Sequence, residues 1–402
     1  MTLFNTDCIP GYARFRIPGI VSSADGTLLA YCEARRTDDD WAEIDILLRR
    51  STDGGRTFSA PVVLFNGSGI NKTANNPVMI AEKNGAVHFL FCLEYGLSDK
   101  GGVYYSRSLD SGASWSRPKD ITDMTLPGSH NVFALGPGHG IELFDGTLLV
   151  PCWMVRDDAG ASERSHHPGT VCVFTSGDGG ETWHIGSFVP DGSVCDPNET
   201  SAAQLSNGCI ILSIRDGNTF SRCYSIGDNR FHFSPIAPLP DVPDPICFGG
   251  LLSVEDVLYM TNCNSREKRI DLTLRKSQDG IQWKTIKTVV PGPAGYSDLA
   301  FYNGKIFILY EKETDIEMTT VSLVNDMYSK RQLNIGGSMR SLIFSSPIIS
   351  VLNRRDGSRQ YAPIDCARMP YKRRYTLGAA SAALPFPLPS GLPPYAIFWR
   401  VR

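Results

Sequence analysis

Apolar residues come in short, dense runs along this chain. Residues 27–32, 87–92, 147–152, 209–214, 257–262 and 305–310 are each mostly apolar and of strand length. Asp25-Gly26, Asn84-Gly85, Asp145-Gly146, Asn207-Gly208 and Asn303-Gly304 stand just before five of these runs and read as turns. No clear helical periodicity appears between residues 1 and 324. The pattern predicts many short β-strands.

A second signal repeats at intervals of roughly 50 residues, or about twice that, as in repeat architectures. Ser51-Thr52-Asp53-Gly54-Gly55-Arg56-Thr57-Phe58 recurs as Ser108-Leu109-Asp110-Ser111-Gly112-Ala113-Ser114-Trp115 and as Ser176-Gly177-Asp178-Gly179-Gly180-Glu181-Thr182-Trp183. A shortened copy runs Ser277-Gln278-Asp279-Gly280-Ile281-Gln282-Trp283. Ser and Asp side chains can bond the backbone of a tight turn, Gly accepts positive φ, and the aromatic residue plugs the turn onto an apolar layer. Strand-like segments 44–50, 103–107, 171–175 and 272–276 precede the copies. Each copy therefore reads as a structural hairpin turn between the last two strands of a small antiparallel sheet.

Six sheet repeats fit, at about 12–65, 75–120, 132–189, 198–236, 244–290 and 296–324. The fourth has only a degenerate turn, Ser225-Ile226-Gly227-Asp228-Asn229. Radial closure leaves such sheets only short, protected edges. The expected fold is all-β: a six-bladed β-propeller of four-stranded antiparallel sheets over residues 1–324. The last blade should take its outer strand from residues 3–8. Residues 325–402 lack the turn, carry Arg354-Arg355 and Lys372-Arg373-Arg374, and run Pro-rich over 384–394. They are expected to be a poorly ordered C-terminal tail or small appendage.

Composition narrows the function classes. A formal charge of −3 over 402 residues argues against a nucleic-acid partner, which needs a basic surface. No apolar run reaches membrane-helix length. Residues 1–11 lack the regions of a signal peptide, so a cytoplasmic location is expected, or a secreted one if the N-terminus is incomplete. The 11 cysteines are scattered singly, without paired zinc spacing, and read as buried free thiols. No metal and no cofactor are expected, and the chain should be a monomer.

Certain polar residues are not needed by a β scaffold. Arg16 lies in Phe15-Arg16-Ile17-Pro18, and Arg35 and Arg215 end apolar strands. Arg269 precedes a strand, Glu199 and Tyr296 open repeats, and Glu311 follows an apolar run. In a propeller, inner-strand ends from different blades converge at one mouth of the central channel.

These residues, with the repeated turns, make the chain resemble the sialidase (neuraminidase) family of glycoside hydrolases over about residues 12–324. The turns match the family's Asp boxes. The resemblance implies an exo-α-sialidase that releases terminal sialic acid from sialylated glycans with retention. Arg16, Arg215 and Arg269 would grip the substrate carboxylate, as planar charge-assisted donors can. Arg266 competes with Arg269 for the third place. Glu311 would hold Arg16, and Arg35 would contact the sugar's C4 side. Tyr296 would be the nucleophile, because a carboxylate nucleophile would be repelled by the anionic substrate. Glu199 would take the Tyr296 proton, and Asp40 would be the general acid, chosen over Asp38 and Asp39 by its spacing from Arg35 and its place before Trp41.

Softer candidates are Asn75-Asn76-Pro77 and Gly138-His139-Gly140, which open the second and third repeats. Trp153, Phe248 and Met79 could touch substrate groups or simply pack. His166 and His167 read as solvated loop residues. A trans-sialidase differs by an acceptor site and water exclusion, and a non-catalytic sialoglycan-binding propeller would lose Tyr, Glu or Asp; all three are present here.

Overall fold

The computed structural model describes residues 1–94, 102–125, 130–156 and 166–323. The tail expected over 325–402 lies outside the described residues. Twenty-six strands form six sheets, and the described residues hold short 3₁₀ turns but no α-helix.

Blade I is built from Arg14–Ser22, Leu28–Arg35, Ile44–Ser51 and Val62–Phe65, in that spatial order. Blade II is built from Ala74–Ala81, Val87–Leu93, Gly102–Ser108 and Lys119–Asp120; blade III from His130–Leu135, Leu148–Arg156, Thr170–Ser176 and His184–Phe188. Blade IV contains Pro197–Gln204, Ile210–Asp216, Ser221–Gly227 and Ala237–Pro243; blade V contains Leu251–Val254, Val257–Cys263, Ile270–Ser277 and Lys284–Pro293. Blade VI is Ser297–Tyr302, Lys305–Lys312 and Asp315–Ser322, with Thr2–Phe4 added outside. This is the expected six-bladed propeller. The closing strand is Thr2–Phe4, shorter than expected, with Thr2 opposite Glu317.

One detail differs from expectation. Gly138–His139 does not open blade III. It pairs in parallel with Val78 and Met79 on the inner side of blade II, and His130–Leu135 is the first strand of blade III. Strand Leu148–Arg156 already has the longer His130–Leu135 on one flank, which leaves Gly138–His139 to the neighbouring blade.

The core is layered between blades. Within Leu148–Arg156, Leu148, Val150, Cys152 and Met154 pack toward blade II, while Leu149, Trp153 and Val155 pack toward blade IV. Successive strand residues point to opposite faces, so a blade covered on both sides needs apolar residues at every position. This is why the runs are dense and not alternating. Eight described cysteines are buried in these strands and layers, but Cys8 and Cys195 are exposed, contrary to the expectation of buried thiols.

The repeated turns join third and fourth strands, as expected. Ser51 donates to Asp53 Oδ1 at 2.8 Å and accepts from Gly55 N at 2.9 Å; Asp53 Oδ2 accepts from Thr57 Oγ1 at 2.6 Å. Trp115, Trp183 and Trp283 each donate an indole N–H to a glycine carbonyl of their own turn. In blade IV the aspartate survives as Asp228, which accepts from His232 N at 3.0 Å, while Ile226 stands in the serine position and Phe233 supplies the plug.

Candidate active site

The inner ends of several blades share a distortion. In blade I, Arg16 pairs with Glu33 but Gly19 pairs with Tyr31, so one residue is extra. The same one-residue slip occurs at Asn75/Val78 in blade II and Pro197/Thr200 in blade IV. These β-bulges bend the strand end and re-aim its side chains. Ile17 has φ 55° and Asn76 φ 49°, a conformation costing of order 1–3 kcal/mol for a non-glycine residue. Each is followed by proline, which lacks the N–H a regular ladder would need. Phe-Arg-Ile-Pro is thus a bulge that turns Arg16 toward the channel mouth.

Glu311 supports the bulge. Its Oε1 accepts from Arg16 Nε at 3.1 Å and from Ile17 N at 3.0 Å, and its Oε2 accepts from Tyr296 N at 3.2 Å. Burial pushes this carboxyl up in pKa, but the Arg16 charge, the Ile17 N–H, Arg269 and the Tyr296 N–H outweigh it and hold it below the usual range. One buried carboxylate therefore ties residues 16, 17 and 296 together.

Tyr296 is buried, and its hydroxyl donates to Glu199 Oε1 at 2.8 Å. Arg215 Nη1 donates to the same hydroxyl at 2.7 Å and also bonds Glu199 Oε2. The Arg16 and Arg269 guanidinium carbons lie 5.0 and 5.2 Å from the Tyr296 ring centre. Phe248 packs on the same ring at 5.8 Å. Burial raises the Tyr296 pKa; Arg215 opposes this, Glu199 adds to it, and Arg269 and Arg16 oppose it, but the phenol remains neutral at rest. Arg266, the rival for the third position, instead donates to the Phe220 and Pro240 carbonyls and does not line the pocket.

Arg35 and Glu33 lie two residues apart on one strand face and pair at 2.6 and 2.9 Å, both buried. Glu33 Oε1 accepts from Asn76 N at 2.8 Å. Arg35 Nη1 bonds Asp40 Oδ1, and Arg16 Nη1 lies 3.5 Å from the same oxygen. Burial pushes the Asp40 carboxyl up, but Arg35 and Arg16 together hold it below the usual carboxylate range. Asp38 instead faces Arg14 at 3.3 Å, and Asp39 accepts from the Trp41 N–H; neither lines the pocket.

Arg16, Arg35, Asp40, Glu199, Arg215, Arg269 and Tyr296 line one pocket, with Ile17, Asn76, Trp153, His166, His167 and Asn198. Glu311 lies behind it. Met79 and Asn75 are buried and do not line it; Met79 belongs to the layer between blades I and II. His139 pairs with Asp298 at 2.7 Å and is not a pocket residue either. His166 and His167 both lie in a loop and line the pocket. His167 is exposed, as expected, and bonds Asp196 at 2.6 Å, whereas His166 is packed against Trp41 and Trp153 and is not simply solvated. Glu33 was missed by sequence reasoning, although a lone carboxylate inside the apolar run 28–34 was a signal for a buried partner.

Residues 18–308 match the BNR repeat-like domain. Sialidase-2 of Cricetulus griseus is 30% identical over 339 residues, covering 74% of this chain and 86% of that relative. The chain belongs to the sialidase family. A Bacteroides fragilis sialidase is 27% identical over 338 residues, covering 74% of this chain. The chain spans 60% of the length of that relative and 52% of the Micromonospora viridifaciens sialidase. Among solved sialidases, a Hadza microbial enzyme superposes with TM-score 0.69 at 22% identity, covering 78% of this chain and 67% of that one. Trypanosoma rangeli sialidase in complex with sialic acid gives 0.64 at 17% identity, covering 83% and 58%. At these identities, the solved sialidases bear on the fold.

Proposed function

We propose that this chain is an exo-α-sialidase that hydrolyses terminal sialic acid from glycans with retention of configuration. The observation that carries the reading is the Tyr296 phenol held between Glu199 and Arg215, with two more guanidinium groups against its ring. Arg16, Arg215 and Arg269 take the sugar carboxylate. Arg35 faces the ring's far side. Tyr296 Oη attacks the anomeric carbon as its proton passes to Glu199 Oε1. The bond to the aglycone oxygen breaks, and Asp40 gives that oxygen a proton. A water then gives a proton to Asp40 and attacks the same carbon. Tyr296 departs and recovers its proton from Glu199. Two inversions give net retention.

Asp40 must carry a proton to do this, yet the arginines favour its charged form in the free protein. Substrate binding resolves the conflict: the sugar carboxylate neutralises Arg16, and the filled pocket excludes water from Asp40. The test is hydrolysis of a fluorogenic α-sialoside. Tyr296→Phe should lose activity by about a thousandfold or more, and Asp40→Ala by roughly 10²–10⁴-fold when release from sialyllactose is followed beside it, because that leaving group needs acid assistance. A folded wild type that binds sialosides but releases nothing would overturn the enzymatic reading.

A further inference from the structure

The residue after the acid has a place of its own. Asp40 and Trp41 lie in the connection between Leu28–Arg35 and Ile44–Ser51 of blade I. Trp41 nevertheless packs against the apolar layer between blades III and IV, which includes Trp153. His166, from blade III, fills the space between the two indoles. Its ring centre lies 5.8 Å from Trp41, tilted by 34°, and 5.7 Å from Trp153, edge-on at 78°. Such offset and edge contacts contribute about 0.5–1.5 kcal/mol each beyond the area they bury. Burial holds the His166 imidazole toward its neutral form, although the Asp40 and Glu199 charges favour the cation. The acid-bearing loop of one blade is thus fastened on the far side of the pocket by rings that take no part in the chemistry proposed above.

We infer that Trp41 and His166 are positioning residues: their stack on Trp153 holds the blade I loop across the pocket, so that Asp40 stands where the leaving oxygen must be protonated. The inference rests on the sialidase reading. Asp40 itself also pairs with Arg35 and Arg16, and substrate binding competes for those guanidinium groups. Arg14 at Asp38 and Thr73 at the Ala42 carbonyl hold the loop on its own side of the pocket; once the sugar carboxylate occupies Arg16, the ring stack is the support it has on blade III.

The test compares two substrates on the full chain. A 4-nitrophenyl α-sialoside leaves as an acidic phenol and needs little protonation. Sialyllactose leaves as a sugar hydroxyl and needs the acid fully. A general structural defect would slow both alike; a misplaced acid slows the second more. Trp41→Ala and His166→Ala should lower kcat/KM for sialyllactose at least about tenfold more than for the aryl sialoside, a fraction of the 10²–10⁴ that a general acid supplies. His166→Phe keeps a ring in the stack and should bring the ratio back toward that of the wild type. An unchanged ratio in both alanine variants, or a His166→Phe variant as impaired as His166→Ala, overturns the inference alone. A wild type that hydrolyses neither substrate overturns the sialidase reading and this inference with it.

Discussion

Replacing Glu311 by glutamine probes the support behind the pocket without entering it. The carboxylate accepts three bonds: Arg16 Nε and Ile17 N on one oxygen, and Tyr296 N on the other. A glutamine has one carbonyl oxygen. If that oxygen keeps Arg16 and Ile17, the amide N–H₂ faces the Tyr296 N–H, and a buried donor loses its partner at about 1–3 kcal/mol. The Arg16 charge also loses its counter-ion. Removing one partner of a buried pair costs about 3–5 kcal/mol, but Arg16 keeps Asp40 nearby and borders the pocket, so the lower end applies. A loss of about 3 kcal/mol follows, seen as a melting point lower by roughly 6 °C. The variant should also raise KM, because Arg16 loses its aim, with a smaller effect on kcat. The pH dependence has a definite sign. The folded-state pKa of Glu311 is depressed, so its stabilisation is present above the unfolded value of about 4.3 and fades as pH falls through the lower folded value. The gap between wild type and Glu311→Gln should therefore be constant from about pH 6 to 8 and narrow below about pH 4. A cycle with Arg16→Met should give a coupling of about 2 kcal/mol. Melting points within about 1 °C of each other, with unchanged KM, would refute the argument.

The other expectations concern the turns, the closing strand and the acid. Gly54 and Gly55 both have positive φ, but a Cβ on Gly54 meets only Tyr302 at 3.7 Å, whereas one on Gly55 would lie 2.4 Å from the Phe307 ring. Gly54→Ala should cost about 1 kcal/mol and Gly55→Ala two to three times that in urea unfolding, a difference that vanishes if strain alone decides. Phe4→Ala, at a fully buried ring beside Phe15, should cost about 3–5 kcal/mol by the same measurement while leaving KM of the folded fraction unchanged. Because Asp40 is held below the usual carboxylate range in the free protein, kcat/KM should fall as pH rises from about 5 to 8; kcat, which reports the complex with Arg16 neutralised, should hold to higher pH. The reverse order of the two basic limbs would count against Asp40 as the acid.

The fold was legible because its two signals are local. The Ser-Asp-Gly turns carry their own hydrogen bonds, and dense apolar runs follow from burial on both faces of a blade. Even the degenerate fourth turn keeps the aspartate that its mechanism requires, with His232 in place of the threonine. The pocket residues were legible as polar interruptions at strand ends, although their roles came from resemblance. What escaped was non-local. Nothing near Gly138 in sequence says that it will pair with blade II, since that choice is made by the length of His130–Leu135. His166 looked like a solvated loop residue because the rings that flank it are 125 and 13 positions before it. Glu33 hid in an apolar run: its partner Arg35 is two residues on, but the Asn76 N–H it also accepts comes from the next blade.

The strand that closes blade VI orders the birth of the molecule. Met1 bonds Met318 across 317 positions, and Thr2 pairs with Glu317. A ribosome adding roughly 5–20 residues per second reaches that partner about 15–60 seconds after making Thr2. For that interval Leu3 and Phe4 have no seat, and the earlier blades stand as an unclosed arc with a bare edge at each end. The ring can be completed only when synthesis of the propeller is nearly over, so the last step of folding calls on a strand made long before its partner.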